Sequence, residues 1–268
     1  MLLPATRPDA LRTLLALLLL TAFAVPALAG SRLLGTAGAT SIEGSAGGGI
    51  TPWAMLAGYG DRGEYGCAAS VNRVNTDDYG FTSQSFGCSW NNRIELAYAS
   101  QALDLDGLIP LLGLPEGQQL RQHVVSAKVR IAGDLAYGRY GQLSVALLRK
   151  ENRDKGLARA AGATRTVDIE GYISAGKLVI DGPFGQMWYI NATARFTRAN
   201  QGGLLGFGGD RNSSRELHPE LAIAMFPRRD LAIGIEYRGK PDNLSFAAED
   251  DWADLFVAWF PNKHYSLV

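Results

Sequence analysis

Charged residues recur on alternate positions of apolar segments in this sequence. In Asp230 to Arg238, Leu231, Ile233, Ile235 and Tyr237 alternate with Ala232, Gly234, Glu236 and Arg238. The same pattern places Arg93 and Glu95 beside Ile94 and Leu96, and Lys128 and Arg130 between Val125, Ala127, Val129 and Ile131. Arg195 alternates with Ala194 and Phe196, His218 and Glu220 with Leu221 and Ile223, and Asp254 with Leu255 and Val257. Strand side chains alternate faces with a period of two, so these residues share one face and the apolar residues the other. Ten side chains of both signs could line a water-filled lumen and set ion selectivity. They could equally pair with one another and plug it.

Other chemistry finds little support. His123, His218 and His264 are scattered, without the spacing of a metal site. No G-x-S-x-G is present, so no catalytic residue is assigned and no enzyme is expected. The alternative is a barrel-embedded hydrolase whose triad comes from separate strands. The Gly-rich stretch Gly202 to Asn212 lacks a phosphate-loop pattern and reads as a loop, one that could fold into a barrel. Asp242, Glu249, Asp250 and Asp251 lie in one loop, but their spacing matches no calcium loop, and solvated or ion-paired carboxylates are the expectation. Neither metal nor cofactor is implied.

The elements that position these residues follow from the rest of the chain. Arg7 and Arg12, an apolar run from Leu14 to Val25 and Ala27-Leu28-Ala29 read as an export signal over 1–29, cleaved after Ala29. Removing it turns 26 basic and 26 acidic residues into 24 and 25, a net charge of −1, which gives no basic excess for nucleic acid. With 32 glycines and no sustained helical period, residues 30–268 read as one all-β domain.

The alternation predicts about thirteen strands, beginning with 36–43 and 50–59 and ending in a stub at 264–268. From the fourth strand onward, long connections and short turns sort by parity, as in outer-membrane barrels; only the turn at 75–78 breaks the rule. Tyr59, Trp188, Phe226 and Trp259 would form one aromatic girdle, and Trp53, Phe196 and Tyr237 the other. The fold expected is an antiparallel up-and-down transmembrane β-barrel, with a soluble β-sandwich as the alternative. Bacterial single-chain barrels have even strand numbers, so about fourteen strands are expected, the last missing or truncated. Cys67 and Cys88 lie symmetrically about a turn near Asp77-Asp78; in an oxidising compartment they are a candidate disulfide, or else two small side chains at ordinary strand positions.

Several segments together resemble a proteobacterial family of expected outer-membrane proteins known only as domain of unknown function number 3034. They are Ile42-Glu43-Gly44, Pro52-Trp53-Ala54, Leu204 to Asn212, Lys240 to Ser245, and Glu249-Asp250-Asp251 through Trp259 to His264. The resemblance implies a Gram-negative outer-membrane location and a barrel fold, and it transfers no functional residue. The implied partners are outer-membrane lipid, lipopolysaccharide and the barrel-assembly machinery. The expected function is porin-like passage of a small solute, with a plugged structural barrel as the alternative. Leu108, Ile109, Leu111, Leu112 and Leu114 form an apolar long loop that would favour a hydrophobic solute at the barrel mouth, or else pack on its neighbours.

Overall fold

The computed structural model describes residues 32–268 except 38, 76–78, 109–112 and 114. The expected signal and its cleavage site lie outside the described residues, as do Ile109, Leu111, Leu112, Leu114 and the Leu108 side chain. Two short strands, β1 (Ala39–Thr40) and β2 (Ala46–Gly47), pair with each other. Ten longer strands form one sheet: β3 (Tyr65–Asn75), β4 (Gly80–Trp90), β5 (Ile94–Asp104), β6 (Gln119–Gly133), β7 (Gln142–Asn152), β8 (Val167–Val179), β9 (Met187–Thr197), β10 (Glu216–Arg228), β11 (Leu231–Arg238) and β12 (Trp252–Trp259). Each pairs antiparallel with its neighbour in sequence, and the sheet curls into a half-barrel whose edges are β3 and β12. Among the described residues the longer helix is α1 (Lys155–Ala160), and no helix is long and apolar enough to cross a membrane.

Alternation decides the two faces. In β9, Tyr189, Asn191, Thr193 and Arg195 are buried inside the curl, while Ile190 and Phe196 stand about half exposed outside. Leu96, Leu147 and Leu255 on other strands are 61%, 64% and 74% exposed on that outer face. Loops sort by end: 153–166, 198–215, 239–251 and the described residues of 105–118 gather at what we call the mouth, and the shorter turns 91–93, 134–141, 180–186 and 229–230 at the other.

Three expectations are corrected. Segments 36–43 and 50–59 are not strands of the sheet; they run through its interior. Gly44, Gly47, Gly48, Gly49 and Pro52 limit regular pairing there to the two-residue β1–β2 ladder and one isolated bridge, Gly47 to Pro52. Gly44 has φ 88°, and a Cβ there would meet the Tyr98 carbonyl at 2.9 Å, so the segment passes against the sheet as only glycine can. The stub at 264–268 makes one isolated bridge, Trp259 to Leu267. Among the described residues, ten of the expected thirteen strands stand in the sheet. Third, Trp53 and Phe226 point inward and are buried, and Tyr59 lies on the interior segment, so none joins a girdle. Trp188 and Trp259 remain at the turn end with Trp90 and Tyr65, and Phe196 and Tyr237 remain toward the mouth.

Candidate functional site

The interior is filled by residues 39–57, and the inner face of the sheet holds this plug by hydrogen bonds and ion pairs. Its centre is Glu43. The Glu43 carboxylate accepts from Lys150 Nζ at 2.6 Å on β7, Arg238 Nη2 at 2.7 Å on β11 and Arg195 Nη2 at 2.9 Å on β9. Arg195 also donates to Glu170 and Glu220, each at 2.5 Å, while Lys150 meets Glu170 at 2.7 Å and Arg238 meets Glu220 at 3.3 Å. Three carboxylates and three cations, all nearly inaccessible to water, form one neutral cluster. Burial of each charge is tolerable only because every one is paired and hydrogen-bonded.

A second anchor is the cross-strand pair Glu95 and Lys128, 3.2 Å apart and fully buried. Glu95 accepts from Ser45 and from the Ala57 amide, each at 2.7 Å, and Lys128 donates to the Trp53 carbonyl at 3.1 Å. The third is Glu236. It accepts from the Ile50 amide at 2.9 Å, the Thr51 amide and hydroxyl, and Trp53 Nε1 at 2.8 Å. Neutral side chains complete the grip: Asn191 accepts from the Ala54 amide at 2.8 Å, and Gln142 and Ser144 donate to its carbonyl. The plug has little regular structure because its backbone polar groups are satisfied by the sheet's side chains instead of by a ladder.

Of the ten expected inward residues, Glu95, Lys128, Arg195, Glu220, Glu236 and Arg238 are buried inside. Asp254 faces inward opposite Glu236, half-buried, and His218 is half-buried toward the mouth. Arg130 is partly exposed because a register irregularity between Arg130 and Ala132 interrupts the alternation at the turn end. Arg93 is a correction: it is exposed in the 91–93 turn, one residue before β5 begins, where the alternation of the strand does not yet hold.

Sequence reasoning missed Lys150, Glu170 and Glu43. The first two share parity with inward neighbours and were legible; Glu43 ends the segment 36–43, which reads as a strand. Cys67 and Cys88 are disulfide-bonded with Cα atoms 4.0 Å apart, on the outer side of the β3–β4 hairpin, away from the plug. The loop carboxylates do not converge. Asp242 pairs with Arg211 at 2.6 Å, Asp251 accepts from the Lys240 amide, and Glu249 accepts from the Gln201 amide. Among the described residues no three metal-ligating side chains gather.

The Gly-rich loop folds inward from the mouth. Its Gly202 carbonyl accepts from Lys150 at 3.0 Å and Gln122 at 3.2 Å, and its Leu204 carbonyl accepts from Asn152. Between this loop, α1 and the tops of β3 to β6 lies a cavity of about 630 Å³, walled mainly by apolar side chains, with Glu43 and Arg238 among its lining residues.

A family profile described as Protein of unknown function (DUF3034) matches residues 36–268. The chain belongs to this family. The match starts at the head of the plug and runs through every strand of the sheet, so plug and sheet are one family unit. No curated protein and no solved structure matches the chain.

Proposed function

We propose that this family member is an outer-membrane protein whose curled sheet spans the bilayer and whose interior is sealed by its own N-terminal segment. It acts as a plugged protein, not as an open porin. The observation that carries the reading is Glu43, held at once by Lys150, Arg195 and Arg238 from three strands. Charges lining an aqueous channel are free to meet passing ions; these are engaged with one another and with the plug.

The outer face supports the membrane part of the reading. Between Trp188 and Phe196, β9 presents only Ile190, Ala192 and Ala194 outward, and this nine-residue span has the length of a transmembrane strand. Comparable apolar stretches stand outward on β10, β11 and β12, an extent of exposed apolar surface that water-soluble monomers rarely carry. In hydrocarbon an unpaired strand edge is costly, so β3 and β12 must find partners or be covered. Lipid, lipopolysaccharide at the mouth and the barrel-assembly machinery are the partners this reading implies.

Planar-bilayer conductance tests the seal. The purified protein, shown to be folded by a mobility shift on heating, is expected to pass no stepwise current. Salt-dependent current steps from the wild-type chain would overturn the reading and restore passive passage of small solutes.

A further inference from the structure

We propose that the mouth cavity is a binding site for one small, uncharged, apolar molecule. At about 630 Å³ it falls within the volume range of small-molecule sites. Phe81, Leu103 and Leu120 from the strand tops, Leu204 and Leu205 from the inward-folded loop, and Trp252 from β12 form its walls. Water held against such walls gains by being displaced, which is the drive for an apolar ligand.

Charge compensation selects the ligand further. Glu43 and Arg238 reach the cavity, but neither has charge to spare. Glu43 meets three cations, and Arg238 donates to Glu43, to the Ile50 carbonyl at 3.0 Å and toward Glu220. Gln101, also at the cavity, donates to the Ile42 carbonyl at 2.6 Å. A charged ligand would lose its hydration here and find both charged groups of the wall, Glu43 and Arg238, already engaged. Phe246, 56% exposed, and Ala247 form part of the lining, where this wall meets solvent. The inference rests on the cavity and not on the outer face, so its test is separate from conductance.

Two probes that share an aromatic skeleton test it: uncharged N-phenyl-1-naphthylamine and its sulfonated analogue 1-anilinonaphthalene-8-sulfonate. Each is titrated by fluorescence into amphipol-solubilised full-length protein, with empty amphipol subtracted. Expected is saturable binding of the uncharged probe at one site per chain, at least about tenfold tighter than the sulfonate, the factor that about 1.4 kcal/mol supplies. Leu205→Arg, which puts a charge on the wall, and Ala247→Trp, which fills it, each weaken the uncharged probe by a similar factor. The heat-induced mobility shift checks that both variants fold. Equal affinity for the two probes in the wild-type protein, or unaltered binding in a folded variant, overturns the proposal.

Discussion

The interior has two regions that its own chain treats in opposite ways. In the middle, residues 39–57 fill the space, and Glu43, Glu95 and Glu236 each collect three or more hydrogen bonds or ion pairs. At the mouth, the walls are apolar and the chain leaves a cavity of about 630 Å³. The difference separates adhesion from recognition. Charge on the inner face, which in isolation looks like an ion path, serves to hold the plug. The part of the interior left for another molecule is the part without free charge.

Removing the central anchor is the strongest way to break this contrast. Glu43→Ala leaves Lys150, Arg195 and Arg238 facing only Glu170 and Glu220, a buried cation surplus. Such a loss is expected to cost about 3–5 kcal/mol, read as a lower urea midpoint for the heat-shifted folded band. Adding Lys150→Met restores the balance to two carboxylates and two cations. The pair is therefore expected to be less destabilised than the sum of its parts, by about 0.5–3 kcal/mol. Strict additivity would mean the cluster does not act as a unit.

The outer staple comes next. β3 is an edge strand paired only with β4, and its upper residue Val74 helps line the mouth cavity. The Cys67–Cys88 bond closes a loop of sequence separation 21 on the face away from the plug. Cys67→Ser with Cys88→Ser is expected to lose about 2–4 kcal/mol, chiefly by freeing the unfolded chain. Hydrogen exchange on the β3 amides is expected to rise before that on β9, where the plug's anchors are. Equal acceleration on both strands would show that the edge and the plugged middle open together.

How much of this was legible follows from particular residues. The ten sheet strands, their parity and the sorting of loop lengths were visible, because one face is apolar and the other is not. Lys150 and Glu170 sit on inward parity and could have joined the inward set on that ground alone. The plug was misread as two strands of the sheet; within it Trp53, Met55 and Ala57 share one parity. Ala54 and Leu56 between them are also apolar and also buried, so the stretch is apolar on both parities. That is the pattern of a segment enclosed on all sides. Glu43 carried no local signal, since its partners come from positions more than a hundred residues later. The cavity was equally hidden, as it is formed where several loops and strand tops meet.

The smallest expected effect sharpens the contrast at the mouth itself. Glu249, on the 239–251 loop, accepts from the Gln201 amide at 2.7 Å and lies 3.7 Å from Lys240. Burial pushes its carboxyl up from the ordinary 4.5 to about 7, against the opposing pull of the Gln201 amide and Lys240. A carboxyl whose folded pKa is raised holds its proton more tightly in the folded state. The docked loop is therefore most stable below about pH 4.5 and loses that stability as pH rises through about 7. A surface loop undocks locally before the full cost accrues, so the loss is expected to stay near one pKa unit's worth, about 1.4 kcal/mol. Hydrogen exchange at the Gln201 amide between pH 5 and 7.5, corrected for intrinsic rate, reads it. Glu249→Gln is expected to flatten that pH dependence while leaving the urea midpoint of the plugged sheet in place. If the midpoint moved with the loop, the mouth would be part of the same cooperative unit as the charged middle, and the division between the two regions would fail.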